Sequence, residues 1–521
     1  AQHLTKEHNI YTHLTTTAGA LTTTISDTAE IRALMQMPAS MSPADITKTL
    51  NWANRIDLDN IANDTRQEME DPLHSRPVVI NYRSEKTTTG DVVQDSAVFV
   101  ATNSGYLHGF KADKHNFEEY FSFIPKELLP NLAAYKNGAS VADKVYGLDG
   151  PITYWHQDLN QHATVDSGEK VLLFFGMRRG GRNYYALDVS NPSQPKFAWQ
   201  ITGGNGKFAN LGQSWSEMTL AKVPWEGGAR IVLLFGGGYD QAEDDRNSAG
   251  AHSMGNSVYM VDAESGELLW QSSDSSADFI TPDMTSAFVS NIRPVDYNGD
   301  GTTDFFYAAD VGGKLWRFDI SKATTSASDF AKGGVIFDAN GDSSSGYKRF
   351  YYTPSIAYSV ANGEGHLTLA LGSGFRAHPL QATPTDSFYI LKDYDIETVP
   401  QNYTALTPEH LATIGTPSSY EKRREGWQYQ LTGQSEKVLS KALTTNGAIY
   451  FTSFEPAISG SDPTSCQAGA GTARGYILNL TGGTVDPTDS TDGANPDGSG
   501  SDGSDNSNPD GSNSGGGTGG N

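Results

Sequence analysis

The chain has 521 residues, 37 of them Lys or Arg and 61 Asp or Glu, which gives a formal net charge of −24. A surface this acidic repels nucleic acid and anionic lipid and attracts cations, so we exclude nucleic-acid binding. The single cysteine, Cys466, excludes an intrachain disulfide and a zinc–thiolate cluster, and no run approaches the roughly 20 apolar residues of a membrane span.

The first seventy residues are predicted to form an irregular, partly helical lead-in that packs on the rest of the chain. One helix is expected over 27–37. A second begins at Ser42, which caps it, with Pro43 in the first helical position and Asp45 completing the start. Because the chain begins at Ala1 and shows no signal peptide, we expect a processed product or a fragment.

Strand pairs joined by turns that contain Gly or Asn recur between residues 71 and 480. The pairs span 97–111, 171–188, 231–262, 305–318, 367–392 and 448–479, and three of them continue into an outer strand, at 113–123, 188–199 and 262–270. One such unit cannot bury its own faces, whereas radially stacked units can. The sequence therefore predicts a mainly β fold, an irregular β-propeller of six or seven blades. The alternative is a pair of β-sandwiches.

Two kinds of segment interrupt or follow this pattern. Short helical insertions are predicted at 125–135 and 407–411. From 481 to 521 the composition falls to Gly, Asp, Ser, Asn, Pro and Thr, which leaves nothing to bury. We expect this tail to be disordered.

A calcium-loop pattern precedes the fourth strand pair. Oxygen-bearing side chains stand at loop positions 1, 3, 5 and 9, glycine stands at position 6, and a backbone carbonyl is available at position 7; in order these residues are Asp296, Asn298, Asp300, Asp304, Gly301 and Thr302. This spacing directs hard oxygen donors at one point, as Ca²⁺ requires. Position 12 is Tyr307 rather than a bidentate glutamate, and apolar residues follow. We therefore predict a calcium loop on a β-hairpin, although a polar turn is the structural alternative.

Four other sequence patterns are weaker candidates for a functional site. The segment 338–342 begins like a second calcium loop but has Gly346 at position 9, so we do not expect it to bind the ion. The acidic insertion at 240–245 is expected to be solvated. We interpret His74 as a structural hydrogen-bonding residue, and the glycines at 203–206 and 236–238 as turn residues rather than a phosphate loop.

Three stretches together resemble the PilC/PilY family of type IV pilus biogenesis factors and tip adhesins. Residues 71–77 (Asp-Pro-Leu-His-Ser-Arg-Pro) are similar to that family's entry into its propeller, and residues 180–190 to its Gly-Gly-Arg and Tyr-Ala-Leu-Asp-Val segment. The most specific stretch is 295–320, which includes the calcium loop. The similarity runs from about residue 9 to 480 in the family's order.

The resemblance implies a surface-exposed protein, secreted through the periplasm to the pilus tip or outer membrane, that works with minor pilins. It also implies that calcium held by Asp296, Asn298, Asp300, Asp304 and the Thr302 carbonyl tunes pilus extension against retraction. Twitching motility, surface adhesion and virulence would depend on that balance. The family's larger N-terminal part is absent from this sequence, and so is an Arg-Gly-Asp tripeptide.

The alternative function is an adhesin in which calcium is only structural and a glycan, a protein receptor or an abiotic surface is bound elsewhere. The aromatic run 154–156 is a candidate for such a surface. Enzymes are less favoured. Quinoprotein dehydrogenases share the propeller pattern but commonly use adjacent cysteines, and neither a nucleophile elbow nor a His-Glu-x-x-His pair occurs. We expect a non-enzymatic protein.

Overall fold

The computed structural model describes residues 10–480 except 16, 57–68, 91, 113–117, 139–143, 163, 246, 249, 342–345, 384, 416–419 and 458–470. All of these belong to one compact unit. The predicted disordered tail lies outside the described residues.

The lead-in contains three short strands and two helices: β1 (Ile10–Thr12), β2 (Gly19–Ala20), β3 (Thr23–Thr24), α1 (Ala29–Leu34) and α2 (Pro43–Ala53). The predicted start of α2 is confirmed, because the Ser42 side chain accepts a hydrogen bond from the backbone N–H of Asp45. The first helix is shorter than predicted, and its N-cap is Thr28.

The first two sheets take up these lead-in strands at their edges. The first sheet adds β4 (Val78–Lys86), β5 (Val92–Ala101), β6 (Leu107–Lys111) and β7 (Glu119–Phe123), in the order β3-β1-β7-β6-β5-β4. A 3₁₀ turn (Lys126–Asn131) and α3 (Leu132–Asn137) follow, as the predicted insertion requires. The second sheet consists of β8 (Ile152–His156), β9 (Val171–Gly176), β10 (Tyr184–Asp188) and β11 (Lys196–Ile201), with β2 paired to β11.

The third and fourth sheets have the simplest connections. The third runs in chain order through β12 (Thr219–Trp225), β13 (Gly228–Gly236), β14 (Ser257–Asp262), β15 (Leu268–Ser273) and β16 (Phe279–Ile280). The fourth runs through β17 (Arg293–Val295), β18 (Phe305–Ala309), β19 (Lys314–Ile320) and β20 (Ala331–Asp338).

The last two sheets are less regular. The fifth contains β21 (Ser355–Ala361), β22 (Glu364–Gly372), β23 (Ser387–Asp393), β24 (Ala412–Thr413) and β25 (Gly426–Gln430), in the order β21-β22-β23-β25-β24. The predicted insertion appears as a 3₁₀ turn at Pro408–His410, and α4 (Tyr420–Glu425) precedes β25. In the sixth sheet, β28 (Ala448–Pro456) pairs with β26 (Lys437–Val438), β27 (Leu443–Thr445) and β29 (Gly471–Asn479).

Six sheets that follow one another along the chain confirm the predicted propeller fold. The described residues form six blades, the lower of the two predicted numbers. Apolar clusters lie between successive sheets rather than inside one barrel. For example, Met260 and Trp270 of the third sheet pack with Phe306, Trp316 and Phe318 of the fourth. Each sheet thus buries its faces against its neighbours, which is what makes a ring of such units stable.

A register irregularity recurs where the third strand of a unit meets the outer strand. It falls at Gly109/Phe110, Ala186/Leu187, Met260/Val261 and Leu315/Trp316 in the first four sheets. A bulge increases the local twist of a strand pair. The repetition shows that the units share local geometry as well as sequence pattern.

Candidate metal centre

The predicted calcium loop connects β17 to β18 at one end of the fourth sheet. Its second half is fixed by the backbone, because the Asp304 N–H donates to Val295 O at 2.8 Å and the Asp304 carbonyl accepts from Ile320 N–H at 2.9 Å. The Thr303 N–H donates to the carbonyl of Lys222, on β12 of the third sheet, at 2.8 Å. The loop therefore touches the contact between two neighbouring sheets.

Side-chain oxygens of the loop accept hydrogen bonds from its own backbone. Both Asp296 oxygens do so at 2.8 Å, from the N–H groups of Gly299 and Gly301. The Asn298 side-chain oxygen accepts from the N–H of Asp300 at 2.8 Å. Gly299 and Gly301 have φ values of 71° and 82°, the left-handed conformation that glycine adopts without strain. The predicted tight reversal is therefore present.

The Asp300 carboxylate accepts hydrogen bonds from the hydroxyl and the N–H of Thr302. These bonds, the hydroxyl's first, lower the pKa of Asp300 to about 2, so the group is an anion at neutral pH although it is exposed.

Lys322 is a residue of this site that the sequence interpretation missed. Its ammonium group donates to Asp304 Oδ1 and lies 3.6 Å from Asp300 Oδ2. The Asn298 amide nitrogen also donates to Asp304 Oδ1, at 3.1 Å. The β18–β19 hairpin could have revealed this contact from the sequence. Phe305 pairs with Asp319, so the residues just after β19, including Lys322, lie beside the loop that precedes β18.

The donor set fits Ca²⁺ in chemistry, because every predicted ligand atom is an oxygen. Within the described residues, no three His, Cys, Asp or Glu side chains are close enough together to hold a metal ion. The loop carboxylates therefore do not converge on one point in this structure. Asp300 and Asp304 instead meet at the Lys322 ammonium, which provides a positive charge where a bound cation would provide one.

The second loop-like segment is held by an amide rather than by a cation. The Asn340 Nδ2 donates to Gly312 O at 2.6 Å and Lys348 O at 2.8 Å, and its Oδ1 accepts from Lys348 N–H at 2.8 Å. Asn340 therefore ties β20 to the β18–β19 turn and to the segment before the fifth sheet. Asp342 lies outside the described residues.

The expectation that the acidic insertion is solvated was wrong for Asp240 and Glu243, whereas Asp245 is exposed. Glu243 is fully buried, where it accepts hydrogen bonds from Arg349 Nε at 2.5 Å and Tyr347 Oη at 3.3 Å and lies 2.9 Å from His252 Nε2. Asp240 is only 3% exposed and caps the N–H of Ser253. The apolar and cationic groups that cover the insertion come from distant parts of the chain, so local composition did not reveal them.

The Asp244 carboxylate of the same insertion accepts hydrogen bonds from both terminal guanidinium nitrogens of Arg179, each at 3.0 Å, and from Tyr239 Oη. Two bonds to one planar guanidinium fix the orientation of both side chains. The insertion therefore connects the third sheet to the turn of the second.

The structural role predicted for His74 is confirmed. Its Nδ1 lies 2.5 Å from Asp149 Oδ2, and its N–H donates to Asp149 Oδ1 at 2.9 Å. Burial lowers the pKa of His74, and the Asp149 carboxylate acts in the opposite direction. The pair links the entry to the first sheet with the start of the second.

The other predicted surface features occupy strand and turn positions. The aromatic run forms part of β8, where Tyr154 is 40% exposed and Trp155 packs on the core between the second and third sheets. The glycines near 203–206 lead only into a three-residue turn, Gly206–Phe208. Within the described part of the chain, no helix is long and apolar enough to cross a membrane.

Comparisons with known proteins agree with this architecture. Residues 77–346 match the model of a family described as the PilY1 beta-propeller domain. The Xylella fastidiosa type IV pilus biogenesis factor PilY1 homolog is 24% identical over 422 residues, covering 74% of this chain and 26% of that protein. The Pseudomonas aeruginosa type IV pilus biogenesis factor PilY1 is 29% identical over 237 residues, covering 43% and 17%.

The crystal structure of the Pseudomonas aeruginosa PilY1 C-terminal domain superimposes with a TM-score of 0.53 at 19% identity, covering 74% of this chain and 79% of that domain. At this level the similarity establishes the fold. The chain spans about a quarter or less of the two curated relatives described here. Because the family model covers more than half of the sequence, we conclude that the chain belongs to the PilY1 beta-propeller domain family.

Proposed function

We propose that this chain is the calcium-responsive propeller of a type IV pilus biogenesis factor. In this proposal it acts at the cell surface or pilus tip with minor pilins, and calcium at the loop sets the balance between pilus extension and retraction. Twitching motility and surface adhesion follow from that balance. The relatives' names, type IV pilus biogenesis factor PilY1, support the pilus part of the proposal.

The observation that carries the calcium part is the loop itself. Its carboxylates are exposed or half-buried and its glycines are already in the conformation that the pattern requires. We assign the ion to Asp296, Asn298, Asp300, Asp304 and the carbonyl of Thr302. When bound, Ca²⁺ would supply two positive charges that offset the mutual repulsion of three carboxylates.

The chain's own contacts explain how the loop could influence the ring. Thr303 is hydrogen-bonded to the third sheet and Asp304 to β17 and the end of β19, so a change in the loop acts directly on the contact between two blades. Lys322 must release Asp304 and Asp300 before their oxygens can serve a metal ion. Calcium therefore has to compete with an ammonium group of the same sheet.

Calorimetric titration of the purified chain with CaCl₂ tests the site. Without a bidentate glutamate at position 12 we expect one site with a Kd on the order of 10⁻⁶ to 10⁻³ M. Asp296→Ala and Asp304→Ala should weaken binding by at least about tenfold, because each removes a charged ligand. Wild-type calcium affinity in both variants would contradict the assignment of these residues as ligands. At one hundred times its Kd, calcium should stabilise the wild-type fold by about 2.7 kcal/mol.

The second candidate function is an adhesin with purely structural calcium, which the exposed Tyr154 on β8 favours. The two functions separate in a native host that carries Asp304→Ala in the full-length protein. A regulator predicts altered pilus number and twitching, with a nearly unchanged melting temperature of the purified domain in calcium-free buffer. A structural ion predicts that thermal stability and receptor binding fall together.

A further inference from the structure

Arg178 is a buried cation whose guanidinium has no hydrogen bond or ion pair with any described residue. The residue is 6% exposed and its Nε has no partner. Its hydrogen bonds with described residues are made by the backbone alone: the N–H donates to the Ser214 hydroxyl at 3.2 Å, and the carbonyl accepts from the Gly181 N–H at 3.3 Å. It lies in the turn between β9 and β10 with a φ of 54°, a left-handed conformation that is uncommon for a non-glycine residue. Its guanidinium is held 4.2 Å from the centre of the Trp215 ring.

A second arginine faces the same place. Arg376, which follows β22 in the fifth sheet, is half-buried and lies 5.1 Å from the ring centre of Tyr352. The Tyr352 hydroxyl donates to the carbonyl of Leu439 at 2.6 Å, so that ring is fixed. The second and fifth sheets are three units apart in a series of six. Trp215, which contacts Arg178, and Tyr352, which contacts Arg376, nevertheless belong to one apolar cluster, so the two guanidinium groups lie against the same cluster.

The carboxylates near this position are already engaged. Asp149 is bound to His74 and Asn103, and Asp244 to Arg179. Burial, followed by the charge of Arg376, lowers the pKa of Arg178 to about 9, and Asp149 opposes this only in part. A buried charge without a compensating partner destabilises a fold. Arg178 therefore has the properties of a residue kept for binding rather than for stability.

We propose that Arg178 and Arg376 form a binding site for an oxyanion, a carboxylate or a phosphate group, at the centre of the propeller. Guanidinium groups present planar pairs of donors that match the two oxygens of either anion. The Trp215 and Tyr352 rings orient the two donors, so little freedom is lost on binding. The site is independent of the calcium loop.

Calorimetry of the whole chain in calcium-free buffer at constant ionic strength tests the proposal, with sodium phosphate in one arm and sodium glutarate in the other. We expect saturable binding of one equivalent with a Kd on the order of 1 mM for the preferred anion. The stronger arm identifies the source as a phosphorylated or a carboxylate ligand. Absence of saturable binding in both arms would overturn the proposal.

Arg376→Gln and Arg178→Gln should each weaken anion binding by about tenfold or more, because each removes a charge-assisted hydrogen bond. Arg230→Gln is the matched control, since Arg230 is paired with Asp262 at 2.7 Å elsewhere on the third sheet; it should bind like the wild type. Equal affinity in the wild type and Arg376→Gln would contradict the site even if Arg178→Gln failed to fold. Without anion, Arg178→Gln should melt no lower than the wild type, which a purely structural arginine would not allow.

Discussion

Two acidic regions of this propeller use carboxylates in opposite ways. In the insertion at 240–245, Glu243 is fully buried and its oxygens are satisfied by Arg349, Tyr347 and His252. In the loop at 296–304, the carboxylates accept bonds from their own backbone and face solvent or one lysine. A carboxylate whose neighbours are fixed side chains of other blades is part of the framework. One whose only foreign partner is a flexible ammonium remains available to a soluble cation.

The largest effect should come from breaking the buried region. Glu243→Ala removes the carboxylate that forms an ion pair with the buried Arg349, so we expect a loss of about 3–5 kcal/mol in the free energy of unfolding. Urea denaturation followed by tryptophan fluorescence measures this. Asp300→Asn in the exposed loop should change the same quantity far less, because solvent screens this carboxylate. Comparable losses of stability in both variants would show that the loop carboxylates are as much a part of the framework as Glu243.

The burial of this insertion could not be predicted from the sequence. Its four acidic residues lie within six positions of a polar segment, and Arg349 is 106 residues away in the chain. The blades, in contrast, could be predicted, because the hairpins at 97–111 and 305–318 show an apolar strand, a glycine turn and a second strand within about fifteen residues, and the longer pairs repeat that pattern. The pairing of Phe305 with Asp319 follows from that pattern, whereas contacts between blades do not.

A pH titration sharpens the contrast with a second buried carboxylate. Asp310 follows β18, accepts from Trp316 Nε1 at 2.8 Å, and has its pKa raised to about 6, chiefly by burial. Its contribution to stability is therefore full below about pH 4 and is lost as the pH rises through about 6, a change of about 3 kcal/mol. We expect Asp310→Asn to remove this decline in urea denaturation measured from pH 4 to 7.

Asp300→Asn is the control for that titration. The pKa of Asp300 is lowered to about 2, so both its folded and its unfolded forms are ionised above about pH 5. The pH dependence of this variant should follow the wild type between pH 5 and 7. A decline that persists unchanged in Asp310→Asn would mean that another group controls it.

Removing the ammonium from the loop should have a moderate effect. Lys322→Gln frees Asp304 and Asp300, and we expect calcium affinity to rise by about three- to tenfold, since the ion no longer has to displace an exposed ammonium group. Calcium calorimetry gives the affinity. Lys332→Gln on β20 removes the same charge from an exposed position of the same sheet and should change the affinity much less. An equal rise in calcium affinity in both variants would mean that the affinity responds to the net charge of the protein and not to the position of Lys322.

The proposed calcium ligands could be predicted from residue spacing, whereas the competing lysine could not. Spacing at 1, 3, 5, 7 and 9 is a local property, so the loop and its glycine conformations could be predicted. Lys322 is 18 residues from Asp304 and meets it only because β18 and β19 form a hairpin. The charge that Asp300 and Asp304 face depends on that contact, which residue spacing does not encode.

The smallest effect should be at the segment that resembles the loop most closely. Among the described residues, the Asp338 side chain accepts only the N–H of Asn340, at 2.9 Å, and the Asn340 amide is occupied by Gly312 and Lys348. Asp338→Ala should therefore leave calcium binding at one equivalent with unchanged affinity, whereas Asp296→Ala in the same titration should not. A fall from two equivalents to one on mutating Asp338 would reveal a second ion. In that case the geometry of the local turn, rather than the side chains that surround a carboxylate, would decide whether that carboxylate can bind calcium.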